Sequence, residues 1–338
     1  MIRIYIPGFY NNDSGGPRWG DCQLIDDGTN YEIIDCYLGI GKTRFIKYLK
    51  DHGIKKPYLY ISHAHGDHDD GIYDIIKDNY FSPKCLYCYD PESLSDGLKN
   101  SELKGDYNYL KKIIQAAKNR GIPVKYLKHG DHIVHGDIDF YVYRKQPKFA
   151  GNSEDEHGWS FCNDGSLCFW FPKIKYWTSG DGPEKIYDMC NSVGANPVLF
   201  KIPHHGNNCN KGQADGMKSL GAKYCWDNDY STNITEFLRY GRGRCIEAGI
   251  KYLDIHGDIN ILAYGGKVVI YKHGKVYKYA CSYKGKATLK YATITVIEDA
   301  IAGKYGSDDA RTTALINAGY WPSNVQNHIN KLYKLIKG

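Results

Sequence analysis

With 338 residues, 42% hydrophobic and 24% charged, the chain has an ordinary globular composition and room for two domains, or one with an appendage. No run approaches the ~20 uninterrupted apolar residues of a bilayer span, and apolar residues continue along the whole length, so membrane insertion and wholesale disorder are both excluded. The net charge of +6 permits an anionic partner without demanding one.

The chain opens on MIRIYIPGFY, which lacks the basic stretch, apolar helix and small-residue cleavage site of a secretory signal. Short β-branched or aromatic runs follow at Ile2–Ile6, Gln23–Ile25, Tyr31–Cys36 and Tyr58–Ile61, separated by Gly, Asn and Asp clusters, and they predict strands. Helical spacing covers Thr43–Asp51 and Leu103–Asn119, where Leu110, Ile113, Ile114 and Ala117 share one stripe. Strands dominate the middle: Ile138–Tyr143, Leu167–Phe171, Val198–Ile202, Ile259–Ala263, Val268–Tyr271 and Val276–Cys281, with helical pieces near Lys185–Val193 and Asn233–Tyr240. Strand-rich halves with intervening helices predict sheets covered by helices. After Cys281 the composition turns to Gly, Lys and Ser, a linker, and the last 45 or so residues are helical in pattern. Thr295 and Glu298 suggest a capping box, Ser307 a second cap, and Pro322 the first turn of a third helix.

The eleven cysteines are odd in number and scattered, and Cys85 and Cys88 have no second CxxC to complete a metal site. Free thiols in apolar runs act as small hydrophobes, which points to a reducing compartment. Tyrosine is abundant, 31 against 10 Phe and 6 Trp, a composition suited to stacking on sugars or bases, although drift in source composition explains it as well.

The chemistry concentrates in YLYISHAHGDHDDG. An apolar strand runs straight into His63, His65, Asp67 and His68. On extended chain His63 and His65 project to one side and can grip one ion; Gly66 then allows a tight turn, after which Asp67 and His68 face a second. Two histidines on one metal with a carboxylate and a histidine on the next is the donor set of a two-metal hydrolytic site.

This HxHxDH pattern after a strand resembles the metallo-β-lactamase superfamily, and the later motifs follow in that superfamily's order. His157 follows GNSEDE, Asp181 ends the run YWTSGD, and His204 and His205 follow the strand-like VLFKIP. The resemblance spans residues 1–282 and implies an α/β fold, an αββα sandwich. It is nearest to the hydrolase domain of bacterial competence channel proteins and to phosphorylcholine esterase. The branch features are Gly20-Asp21-Cys22, Ile33-Ile-Asp35, the pair before Gly206, and the closing His256-Gly-Asp258 turn. That branch often carries Asn at the position of His157 and Ser at that of Asn207, so a phosphate contact by that serine is not inherited here.

The resemblance implies two divalent ions, zinc or manganese. His63, His65 and His157 hold the first, Asp67, His68 and one of His204/His205 the second, and Asp181 bridges. His205 is taken as the ligand and His204 as the group facing substrate; Asp67 also orients the hydroxide, so Asp67 and His204 are the catalytic candidates. Spacing alone leaves the choice within the histidine pair open.

Residues 295–338, with Ala302-Gly303, Gly306, Arg311, Ala318-Gly319-Tyr320 and Val325-Gln326, resemble the cell-wall-binding repeat of certain phage lysozymes. The expected organisation is therefore a hydrolase domain over 1–282, a linker over 283–294 and a small three-helix module over 295–338. What this implies is a binuclear phosphodiesterase or esterase directed to bacterial cell-wall polymers, peptidoglycan included. Synthesis in the cytoplasm without a signal and release at lysis, as for a phage lysin, reconciles this with the thiols. The alternative is a nuclease or nucleotide phosphodiesterase with nucleic acid as substrate.

Overall fold

The computed structural model describes residues 1–8, 20–37, 39–93, 101–145, 162–182, 185–207, 209–228, 241–254 and 257–336. His157, His256 and the helix expected over Asn233–Tyr240 lie outside the described residues.

One sheet contains β1 (Ile2–Ile6), β2 (Gln23–Asp26), β3 (Tyr31–Ile34), β4 (Tyr58–Tyr60), β5 (Cys85–Cys88) and β6 (Val124–Tyr126). The other contains β7 (His132–His135), β8 (Ile138–Tyr143), β9 (Cys168–Phe171), β10 (Tyr176–Ser179), β11 (Leu199–Lys201), β12 (Tyr224–Trp226) and β13 (Lys251–Leu253). The chain then returns to the first sheet with β14 (Ile259–Tyr264), β15 (Lys267–Lys272) and β16 (Lys275–Ala280), giving the orders β16-β15-β14-β1-β2-β3-β4-β5-β6 and β13-β12-β11-β10-β9-β8-β7. Pairing is parallel from β3 to β6 and from β10 to β13, and antiparallel elsewhere.

Parallel strands need cover on both faces. Helices α1 (Gly39–Asp51), α2 (Gly66–Lys77) and α3 (Ser101–Asn119) cover the first sheet through Phe45, Leu49, Ile72, Ile75 and Ile113. Helices α4 (Ile186–Ser192), α5 (Lys211–Ser219) and α6 (Gly241–Glu247) cover the second, setting Ile186, Ala214, Met217 and Cys245 against Trp177 and Phe200. Between the sheets Tyr60 meets Phe140 and Phe169 edge-on, at centroid separations of 5.6 and 5.9 Å. The fold is the four-layer αββα sandwich expected from the motif order. All eleven cysteines are buried and unpaired by disulfides, as their apolar settings suggest. No helix among the described residues is long and apolar enough to cross a membrane.

The tail forms α7 (Ile294–Ile301), α8 (Asp308–Asn317) and α9 (Pro322–Ile336), which share a small core of Val296, Ile297, Ala300, Leu315, Val325 and Ile329. Its first cap is Thr293, whose side chain accepts from the Val296 amide, and not the capping box suggested at Thr295; Ser307 does precede α8. The tail also lies on the first sheet: Ile316 and Trp321 pack on Leu262, Val269 and Tyr271. Buried polar groups cross the seam, with Thr313 Oγ1 donating to Asp258 at 2.7 Å and Arg3 donating to Asn317 at 2.6 Å. The Gly- and Lys-rich stretch before it starts as a strap, because the amides of Ser282 and Tyr283 both bond to the Lys173 carbonyl at 3.1 Å and Tyr283 is only 6% exposed.

Candidate metal centre

The site residues sit at the carboxyl ends of β3, β4, β10, β11 and β12, where the strands stop but the two sheets still face each other. His63 and His65 occupy the bend after β4, and Asp67 and His68 the first turn of α2. Gly66 has no left-handed backbone; it begins that helix, so the turn expected there is a helix start.

Four imidazoles surround one carboxylate. Asp181, 2% exposed, lies 3.1 Å from Nε2 of His68, 3.4 Å from Nε2 of His205, 3.8 Å from Nε2 of His63 and 3.9 Å from Nε2 of His204. On one side of it His63 Nε2 and His65 Nδ1 stand 2.9 Å apart. On the other, Asp67 Oδ2 lies 2.9 Å from His205 Nε2 and 3.8 Å from His68 Nε2. Two groups of ligand-type residues share Asp181, one with His63 and His65 and one with His68, His205 and Asp21. His204, its side chain 25% exposed, stands outside both.

The opposite ring edges have their own partners. Asp35, at the end of β3, accepts from the Ser62 amide and hydroxyl, both at 2.7 Å, and its Oδ2 lies 3.0 Å from His68 Nδ1. Ser62 Oγ in turn lies 3.0 Å from His63 Nδ1. Asp21 faces Nδ1 of His205 at 3.6 Å and of His68 at 3.7 Å. It also pairs with the fully buried Lys201 ammonium, which donates to the Gly180 carbonyl at 2.9 Å. Asp21 is therefore an outer partner of the rings, and Asp67 shares the inner edge with Asp181.

The loop bearing the paired histidines is conformationally costly. His204 and His205 have φ of 51° and 50°, and Asp35 has 56°, in the left-handed region that branched and bulky residues avoid. Arg242, 2% exposed, holds the loop by donating to the His205 carbonyl at 2.9 Å, and it pairs with Asp227 at 3.3 Å. Gly180 is required by contact: a Cβ there would lie 2.2 Å from Ser62 Oγ and 2.7 Å from His63 Nδ1.

These residues fit a pair of divalent ions. Nε2 of His68 and both ring nitrogens of His205 are buried and make no hydrogen bond of proper geometry among the described residues. Burial acts against charge on His205, but Asp181 and Asp67 outweigh it and lift the imidazole to about 10. His68 is likewise raised by Asp181 and Asp67 against its burial, whereas burial and the neighbouring His68 and His65 push His63 well down. Asp181, despite burial, is held low by His205 and His68. Protons thus hold together carboxylates and imidazoles whose donor atoms converge, the role that cations take over when bound.

The motif reading brought His63, His65, Asp67, His68, Asp181 and His205 into one cluster, with His204 at its edge. It noted Asp21 and Asp35 only as branch features and missed Lys201, Asp227 and Arg242. A lone Lys in the apolar run VLFKIP was a signal for a buried, paired charge; Arg242, flanked by glycines, offered none.

No family model and no curated protein matches the sequence. Solved structures resemble it in shape. The metallo-β-lactamase fold protein YhfI of Bacillus subtilis is 11% identical, with 82% of this chain and 99% of that one covered and a TM-score of 0.48. Igni18, a metallo hydrolase of the archaeon Ignicoccus hospitalis, is 13% identical over 77% and 99%, with a TM-score of 0.45. Yeast PDE1 is 11% identical over 75% and 97%, with a TM-score of 0.41. At these identities and scores the likenesses say nothing of chemistry, which rests on the chain's own ligand geometry.

Proposed function

We propose that this metal-dependent hydrolase binds two divalent ions, zinc or manganese, cleaves phosphodiester or related ester bonds, and is directed by its C-terminal helices to bacterial cell-wall polymers. The observation that carries the hydrolytic reading is Asp181, whose carboxylate is common to two groups of converging imidazoles. Imidazole and carboxylate donors suit zinc and manganese. His63, His65 and Asp181 would hold one ion, to which the motif resemblance assigns His157, outside the described residues, and Asp67, His68, His205 and Asp181 would hold the other. When bound, such ions supply Lewis acidity and hydroxide near neutral pH.

The chain's residues do the rest. Asp67, beside His205 and 18% exposed at its side chain, orients the attacking water. His204 faces outward from the cluster, where it contacts a substrate oxygen or gives a proton to the leaving group. No Ser or Cys nucleophile is needed.

Wall direction is supported by the motif resemblance of residues 295–338 and by a groove of about 350 Å³ between α8, α9 and the β15–β16 hairpin. Arg311, Gln326, Thr312 and Tyr271 line it. Nucleic acid is the second reading, favoured by the +6 charge. The test is a hydrolysis screen of the metal-loaded full chain on a bis-aryl phosphate, plasmid DNA and a teichoic-acid-like phosphodiester, with sedimentation on purified peptidoglycan. Turnover of the wall polymer with co-sedimentation is expected. Preference for DNA without sedimentation would favour the second reading, and no turnover by protein holding two ions would end both.

A further inference from the structure

Three of the four clustered histidines turn Nδ1 away from Asp181 towards an oxygen, hydrogen-bonded for His63 and His68 and 3.6 Å away for His205. His63 has Ser62 Oγ, His68 has Asp35, and His205 has Asp21. His65 is oriented the other way round. Its Nδ1 faces His63 Nε2 at 2.9 Å, so its outer edge is Nε2, which is buried and makes no hydrogen bond among the described residues.

A neutral imidazole has one lone pair. If Nδ1 presents it to an ion, the proton sits on Nε2, and something must hold it there. The nearest carboxylate oxygen the structure gives that atom is Asp106 Oδ2, 3.6 Å away. Asp106 lies on α3, an element that contributes no other residue to the centre, with its side chain 26% exposed. The same oxygen takes the Cys162 thiol at 3.8 Å. The thiol is a weak donor, and burial raises its pKa so that it stays S–H, so it shares Oδ2 without displacing an N–H.

We infer that Asp106 is the positioning residue for His65: its carboxylate accepts from Nε2–H, fixes the ring tautomer and aims Nδ1 at the ion shared with His63. The assignment rests on the two-metal reading: without an ion His65 Nδ1 and His63 Nε2 share a proton at 2.9 Å, and an ion would take that proton's place. At 3.6 Å the contact is longer than a hydrogen bond, and a small rotation of the His65 ring or of the Asp106 side chain would close it to one. A reading with a third ion on His65, Asp106 and Cys162 is disfavoured, because His65 would have to give up its last proton to bind at both nitrogens.

The test uses the full chain with Asp106→Ala, Asp106→Glu and Cys162→Ala, measuring zinc affinity against a chromophoric chelator and the His65 tautomer by long-range ¹H–¹⁵N NMR at pH 8. In zinc-loaded wild type His65 is expected as the Nε2–H tautomer. Asp106→Ala is expected to weaken one of the two ions about 10–100-fold and to shift the His65 Nε2–H resonance, which loses its carboxylate acceptor. Asp106→Glu restores most of the loss, and Cys162→Ala keeps wild-type affinity. Two ions bound with wild-type affinity by Asp106→Ala, with the His65 Nε2–H resonance unshifted, would overturn the assignment. So would an equal loss in Cys162→Ala, which would make the effect one of packing. Failure of wild type to bind zinc would strike the two-metal reading itself, an outcome distinct from wild-type zinc binding by Asp106→Ala, which overturns the role of Asp106 alone.

Discussion

Stripped of metal, the protein will lose stability as the pH rises through neutrality, and loading with zinc will remove that loss. In the metal-free centre Asp181 and Asp67 lift His205 to about 10 against its burial, and His68 is raised in the same way. An unfolded histidine titrates near ~6.5. A group whose pKa is higher in the folded state stabilises fully below the unfolded value, and that contribution fades as the pH climbs towards the folded one. The slope is about 1.4 kcal/mol per pH unit for each proton retained, so between pH 6.5 and 8 His205 alone removes about 2 kcal/mol, and His68 acts in the same direction. The window must stop near pH 8. Beyond it thiols that burial keeps protonated in the fold, among them Cys88, Cys168 and Cys190, begin to ionise in the unfolded chain and add a slope of the same sign.

The assay is urea unfolding of chelator-treated and zinc-loaded protein at half-unit steps from pH 6 to 8. Zinc binding expels the same protons, so ion affinity rises about tenfold per pH unit for each proton displaced. Asp181→Asn removes the main carboxylate facing both rings and should flatten the metal-free slope. A midpoint for metal-free wild type that is level or rises over this window would refute the electrostatic account of the centre.

Asp181→Ala should abolish hydrolysis and reduce zinc uptake below two per chain while the far-ultraviolet circular dichroism stays native; full turnover would mean the shared carboxylate is elsewhere. Gly180→Ala drives a methyl into Ser62 Oγ and His63 Nδ1, 2.2 and 2.7 Å from its Cβ, and should lower zinc affinity at least tenfold; unchanged affinity would show that this contact relaxes without moving His63. Truncation after Lys284 uncovers Leu262, Val269 and Tyr271 and strips Asp258 of its Thr313 partner. At ~1.5–3 kcal/mol per apolar side chain it should cost about 5 kcal/mol or more in unfolding free energy, so an unaltered urea midpoint would mean the seam adds nothing.

The sandwich was legible because its signals are local. Ile2–Ile6 and Ile138–Tyr143 are observed with the bounds their alternation predicted, since each strand contrasts with the Gly- and Asp-rich turns around it. The short strands β6, β12 and β13 were not, because lysines and aspartates interrupt the apolar pattern at VKY, KYCWD and KYLD, whereas the equally short β4 and β11 lie in the denser runs YLYI and VLF. Helix α2 was hidden for a different reason. Its start is written in the metal motif, and GDHDDG reads as a turn until Ile72, Ile75 and Ile76 are seen to share its buried face. Within the centre, the inner ligands came from one dense motif and two strand ends. The outer partners came from far apart in sequence, Asp21 before β2, Asp106 on α3 and Arg242 on α6, and only folding brings them behind the rings.

The energetics of that end of the molecule fit a site completed by cations. Three of its residues, Asp35, His204 and His205, hold left-handed backbone at about 1–3 kcal/mol each. Lys201 and Arg242 are buried charges whose desolvation their pairing with Asp21 and Asp227 only partly offsets. None of this helps a protein fold, and each element instead fixes a ring or a carbonyl around Asp181. Stabilisation returns with the ligand, since a free ion at 100 times its dissociation constant adds about 2.7 kcal/mol per site to the folded state alone. Two such sites together are of the size of the backbone strain, so ion binding and the integrity of this loop should rise and fall together, while the hydrophobic layers behind it, built on Phe140, Phe169, Trp177 and Ile261, stay intact in either state.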